Sequence, residues 1–88
     1  MRYGIHYSGN LRQTFVRPKT NISGVLYFDS PNDTEAKSKA SIAVQEEMRE
    51  EGLELHSPPY LRRYDEFDRP KEIIYDFPLE MFPSETIR

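Results

Sequence analysis

A long helix with clear start and stop signals constrains the fold of this chain more than any other feature. The sequence predicts a helix from about Pro31 to Glu51, because capping residues precede it and Gly52 follows it. Its N-terminal boundary has two alternatives, a capping box that starts at Ser30 and one that starts at Asn32. One stripe at the helical period carries small and apolar side chains: Ala36, Ala40, Ala43, Val44 and Met48. Because alanines dominate the stripe, we expect the helix to lie close against a sheet.

The chain is short and its apolar content is low. Its 88 residues have a mass of 10.4 kDa, which corresponds to a single small domain, 1–88. Hydrophobic residues make up 36% of the sequence and aromatic residues 12%, so the core must be thin and rich in Tyr and Phe. The formal net charge of −3 is too small to keep the chain unfolded by repulsion.

The N-terminal segment alternates like a half-buried strand. Tyr3, Ile5 and Tyr7 share one face of it. Turn-forming residues at 8–10 predict a hairpin, with a returning strand over 11–16.

Further β-branched and aromatic segments follow. They predict strands at 22–28, 53–56, 60–64 and 71–77, with a polar turn at 65–70. Together these segments predict an α+β domain: an antiparallel sheet of four to five strands with one main helix packed on one face.

Composition excludes several kinds of chemistry. The chain has no cysteine, which excludes disulfides, zinc–thiolate sites and cysteine nucleophiles. His6 and His56 have no metal-binding spacing, and the four glycines are too dispersed to cradle a phosphate. We therefore expect a protein that is not an enzyme and has no metal, no cofactor and no catalytic residue.

The same composition bears on location. A cysteine-free domain with a thin core favours a reducing, cytoplasmic environment. The N-terminus has no signal-peptide pattern, and no apolar run is long enough to span a membrane.

The C-terminal end of the predicted helix has an unusual cluster of acids. Glu46, Glu47, Glu50 and Glu51 form like-charge pairs four residues apart, at the negative pole of the helix dipole. One interpretation is a solvated face that a nearby strand neutralises with Arg or Lys. The other is an acidic surface that binds a partner protein with a basic surface.

A second candidate binding segment interleaves aromatics and arginines. Tyr60, Arg62 and Tyr64 share one face of a predicted strand, and Arg63 lies on the other. Such a strand suits a protein interface or the stacking of single-stranded nucleic acid on aromatic rings. The alternative is that one face is core and the arginines pair with acids of the next turn.

The distribution of charge suggests a different function. Residues 1–28 contain no acid, and their cations join two later arginines in a candidate nucleic-acid surface: Arg2, Arg12, Arg17, Lys19, Arg62 and Arg63. That function requires all six to share one face. The alternative, which we favour, is that strand side chains of the basic part pair with acids elsewhere in the chain. The overall pI near 5.3 favours it less than protein binding.

The sequence suggests an extended C-terminal arm over residues 78–88, which contains Pro78 and Pro83. Leu79, Met81 and Phe82 are too apolar for a free tail, so we expect them to pack over the core. The alternatives are that the arm anchors in a partner's groove, or that the chain is a small structural subunit whose termini insert into a larger assembly.

The leading interpretation is a non-enzymatic protein-binding module. Short, cysteine-free, acid-leaning α+β chains are typical of proteins encoded by phages and mobile elements, many of which inhibit a host protein by covering its surface. An inhibitor or adaptor of that type is the function that we expect, and single-stranded nucleic-acid binding is the main alternative.

Overall fold

The computed structural model describes residues 1–83 as a five-stranded antiparallel sheet with one main helix, which confirms the predicted α+β fold. The elements, in chain order, are β1 (Arg2–Leu11), β2 (Thr20–Asp29), α1 (Asp33–Glu51), β3 (Leu53–Leu55), β4 (Tyr60–Tyr64), β5 (Pro70–Asp76) and a 3₁₀ turn (Leu79–Met81). The segment 84–88 of the predicted C-terminal arm lies outside the described residues.

Strand β1 is the centre of the sheet. The main strand order is β2-β1-β4-β5, and β3 pairs with β1 beyond the end of β4. Residues 2–6 of β1 pair with β4, whereas residues 9–11 pair with β3. Strands β3 and β4 therefore run in line along one side of β1. The break between them contains Pro58 and Pro59, which cannot donate backbone hydrogen bonds.

The predicted turn at 8–10 and the returning strand over 11–16 are both wrong. Strand β1 continues to Leu11, residues 12–19 form the loop, and the returning strand is β2. Gly9 does not form a turn but allows the backbone of β3 to lie close to β1. A Cβ placed there would lie 2.1 Å from the backbone oxygen of Glu54. Only glycine allows β3 to pair with β1 at this point.

The helix has the caps that its sequence predicts. It begins at Asp33, two residues after the predicted start, because Asn32 is the N-cap and its side chain accepts a 2.9 Å hydrogen bond from the amide of Glu35. It ends at Glu51, and Gly52 has φ 66°, the left-handed conformation that favours glycine.

The core lies between the helix and one face of the sheet. The helix contributes Ala36, Ala40 and Val44, all fully buried. The sheet and the segment after it contribute Tyr3, Ile5, Leu61, Phe77 and Phe82 to the same cluster. Among residues 1–83, no helix covers the opposite face of the sheet, and we call it the open face.

Candidate binding surfaces

The acidic cluster lies where the sequence places it, at the C-terminal end of α1. Glu46, Glu50 and Glu51 are exposed, and Glu47 is half-buried. Partial burial, followed by the carboxylates of Glu51 and Glu50, raises the pKa of Glu47. Burial, and then the carboxylates of Glu47 and Glu51, raise the pKa of Tyr7 on β1. The cluster is thus a surface of mutually repelling charges.

The loop 12–19 lies against this end of the helix. The amide of Arg12 donates a 3.0 Å hydrogen bond to the carbonyl of Gly52. The guanidinium of Arg17 donates to the carbonyls of Arg12, at 2.9 Å, and Glu51, at 3.3 Å. A cation at the negative pole of a helix is stabilising, so the loop offsets part of the acidic charge.

The tip of the loop exposes two apolar side chains. Reciprocal backbone hydrogen bonds join Thr14 and Arg17, at 2.8 and 3.4 Å, and close a turn whose central residues are Phe15 and Val16. These two residues are 108% and 94% exposed. The sequence pattern predicted a strand over both residues and so did not indicate this feature. The sequence signal that distinguishes an exposed loop tip from a strand here is the polar and basic residues on either side of Phe15 and Val16.

The acidic cluster and the apolar tip belong to one end of the molecule, because the hydrogen bonds of Arg12 and Arg17 join the loop to the helix. We call this region the open end; its members are Phe15, Val16, Glu46, Glu47, Glu50 and Glu51.

The open face carries an aromatic cluster. The ring of His6 stacks on that of Tyr60, with centroids 4.7 Å apart and planes 3° apart. The hydroxyl of Tyr64 lies 2.5 Å from Nε2 of His6, and its ring meets that of Tyr27 edge-on at 5.2 Å. Burial, and then the positive charge of Arg62, lower the pKa of His6. The imidazole is therefore neutral at neutral pH.

Two arginines lie among these rings. Arg2 is placed over the ring of Tyr27, 5.3 Å from its centroid, and also forms a 3.0 Å ion pair with Asp68. Arg62 donates a 2.7 Å hydrogen bond to the backbone oxygen of Lys71. The face therefore combines aromatic surface with cations that already have partners in the chain.

Arg63 has a different role from its neighbours on β4. It donates two hydrogen bonds, 3.0 and 2.9 Å long, to the carboxylate of Asp33 and forms a 2.8 Å ion pair with Glu72. The hydroxyl of Tyr3 donates to the same carboxylate at 2.7 Å. The hydrogen bonds from Tyr3 and Arg63 lower the pKa of Asp33. These four residues, Tyr3, Asp33, Arg63 and Glu72, join the start of the helix to the sheet, and we call them the closed end.

The structure thus distributes the predicted contact residues over separate surfaces. The four glutamates lie at the open end, Tyr60, Arg62 and Tyr64 lie on the open face, and Arg63 belongs to the closed end. The six candidate nucleic-acid residues do not share a face. Only Arg2 and Arg62 lie on the open face, while Arg12 and Arg17 contact the helix end and exposed Lys19 precedes β2.

The described part of the C-terminal arm packs back on the domain. Phe82 is 3% exposed, and its ring meets that of Phe77 at 5.9 Å. At the other terminus, the amino group of Met1 donates a 2.9 Å hydrogen bond to the carbonyl of Ser30. The N-terminus and the part of the arm up to residue 83 therefore both contact their own domain.

Within residues 1–83, no group of three or more His, Asp or Glu side chains is placed to hold a metal ion. The one long helix among those residues lacks the apolar stretch that crossing a bilayer requires. Comparison with protein-family models, curated proteins and solved structures finds no match to this chain.

Proposed function

We propose that this chain is a small, non-enzymatic protein-binding module that binds its partner through the open end. The observation that supports this function is the almost complete exposure of Phe15 and Val16 at the tip of a hydrogen-bonded turn. Neither side chain stabilises the domain by burial, so their apolar surface is available to a partner.

Burial of Phe15 and Val16 in a partner's pocket is energetically favourable. Covering a fully exposed Phe or Val side chain contributes about 1.5–3 kcal/mol. The turn is already closed by the Thr14–Arg17 hydrogen bonds and tied to the helix by Arg17, so little conformational entropy is lost on binding. A pre-ordered apolar tip is thus an efficient anchor.

The acidic cluster defines the chemistry around that pocket. Glu46, Glu50 and Glu51 are exposed at the same end of the molecule as the apolar tip. A partner with lysines or arginines around an apolar pocket complements both features. The acids guide association and select the partner, while the apolar tip contributes most of the affinity.

This surface suits a protein that acts by covering a functional site. A tip that fills a pocket excludes other ligands from it, which is how a phage-type inhibitor or adaptor works without catalysis. A cysteine-free chain also suits a cytoplasmic partner.

Affinity capture with matched baits tests the proposal. The baits are the wild type, F15S/V16S, and F67S as a control, because Phe67 is 68% exposed on a different turn. We expect a partner that the wild type and F67S capture equally and that F15S/V16S fails to capture. Replacing the four glutamates by glutamine is expected to weaken that capture most at low salt. Equal capture by the wild type and F15S/V16S contradicts the proposal.

A second candidate function is single-stranded nucleic-acid binding on the open face. It is favoured by the half-buried His6–Tyr60 stack and by exposed Tyr27 on the same face, since aromatic rings on a sheet provide stacking platforms for bases. Fluorescence anisotropy with a labelled single-stranded oligonucleotide at rising salt tests it. The expected result is low-salt binding that Y60A/R62A abolishes, and no binding at low salt excludes this function.

A further inference from the structure

The two strands at the ends of the main strand order, β2 and β5, differ in how well they resist pairing with another strand. Strand β5 begins with Pro70 and carries the charges of Lys71, Glu72 and Asp76. Its pairing with β4 also contains register shifts. Proline, charge and irregular pairing are the features that protect natural sheet edges from association.

Strand β2 has none of these protections along its length. Its ten residues pair with β1 in an unbroken register from Thr20 to Asp29. It contains no proline and no lysine, and its only charged residue is Asp29 at its end. Among residues 1–83 no strand lies along its outer side. An edge of this length and regularity is a template for a further strand.

The side chains of β2 also favour a covered edge. Register places Leu26 opposite Ile5 and Phe28 opposite Tyr3, so both lie on the helix side of the sheet. They are only half-buried although they pack against the core, and Ile22, on the same side, is half-buried as well. The side chains of an additional strand beside β2 would cover more of this apolar surface.

The charges at the two ends of β2 indicate which strand fits. Exposed Lys19 immediately precedes β2, and Asp29, whose side chain is 76% exposed, ends it. Lys19 and Asp29 are equally far from Gly24 in sequence. In an antiparallel pair of two β2 strands centred on Gly24, Lys19 of each copy therefore faces Asp29 of the other.

We propose that two copies of this chain associate through their β2 edges around a two-fold axis at Gly24. The sheet then continues across both protomers, and an ion pair between Lys19 and Asp29 closes each end of the interface. The same register places Ile22 opposite Leu26 of the other copy, on the helix side in both. Such a self-complementary interface is what two-fold symmetry requires.

Sedimentation equilibrium with charge-reversal variants tests this interface. The wild type is expected to form a concentration-dependent dimer of twice the 10.4 kDa chain mass. K19E and D29K each place like charges together at both ends and are expected to raise the dissociation constant about tenfold. K19E/D29K restores the opposite charges and the dimer, and K71E, on the protected edge, leaves the dimer unchanged.

Several results would overturn the proposal. The first is a wild type that stays monomeric up to millimolar concentration. The second is a dimer that K19E and D29K leave intact, and the third is a K19E/D29K variant that does not form the dimer again. Circular dichroism verifies that each variant is folded. If a single variant is unfolded, hydrogen exchange of the wild type decides: β2 amides must become more protected as concentration rises, and unchanged protection overturns the interface.

Discussion

The two ends of the helix differ in how far their side chains stabilise the domain. At the closed end, Tyr3 and Arg63 converge on Asp33 with hydrogen bonds of 2.7 to 3.0 Å. At the open end, acids repel one another and two apolar side chains face water. Interactions at the first end favour the native state, whereas those at the second carry a cost that binding of a partner can offset.

The largest expected effect comes from the core beside the closed end. Leu61 is fully buried and pairs in register with Ile5, so Leu61→Ala is expected to lower the free energy of unfolding by about 2–5 kcal/mol. Urea denaturation measures this change. Ile42→Ala, at a residue 55% exposed on α1, is the control and is expected to stay within about 0.5 kcal/mol of the wild type. Equal losses in both variants would mean that the core lies elsewhere.

The next effect is the loss of a hydrogen bond at the closed end. Tyr3→Phe keeps the buried ring but removes the hydroxyl that donates to Asp33, which is expected to cost up to about 1 kcal/mol. A double-mutant cycle with Asp33→Ala, which removes the acceptor, followed by urea denaturation, measures the coupling between the two residues. Additive effects of the two substitutions would show that the hydrogen bond contributes nothing to stability.

A smaller effect of opposite sign is expected at the open end. The quadruple variant E46Q/E47Q/E50Q/E51Q removes the like-charge pairs, so the free energy of unfolding is expected to rise by several tenths of a kcal/mol at low salt. The gain shrinks at high salt because exposed charges are screened. A loss of stability would instead show that Arg12 and Arg17 more than balance the acids.

The smallest effects are in the pH dependence of the two ends, which has opposite signs. The pKa of Asp33 is lowered from 3.8, so its contribution is present above that value and is lost as the pH falls through the lowered pKa. The pKa of Glu47 is raised from 4.5, because the folded protein favours its protonated form. The stabilisation by that form is complete below pH 4.5 and is lost as the pH rises through the raised pKa.

Unfolding measurements across acid pH test both signs. The deficit of Asp33→Asn relative to the wild type is expected to shrink below about pH 3.8. The gain of Glu47→Gln is expected to be largest near neutral pH and to vanish as the wild-type carboxylate becomes protonated. Parallel pH curves for the wild type and both variants would contradict the assignment of these shifts.

Local signals account for the parts of the fold that the sequence predicted correctly. The helix boundaries follow from residues at its ends, such as Asn32 and Gly52, whose effect on the backbone needs no distant contact. Strand β4 coincides with its predicted span, and β5 is displaced by one residue.

Distant contacts account for what the sequence did not predict. Gly9 looks like a turn residue locally, and only the approach of Glu54 shows why the strand continues through it. In the same way, a run of sequence does not reveal that Arg63 pairs with Asp33, or that Arg12 and Arg17 pack against the end of the helix. The sequence therefore predicted the position of the acidic cluster on the helix, but not the contacts of Arg12, Arg17 and Arg63.

The free energy of unfolding of F15S/V16S tests most directly whether stability and recognition lie at different ends. Because both side chains are almost fully exposed, the variant is expected to unfold within about 0.5 kcal/mol of the wild type. A fall of about 2 kcal/mol or more would show that Phe15 and Val16 pack against their own chain, and the open end would then be part of the core rather than a binding surface.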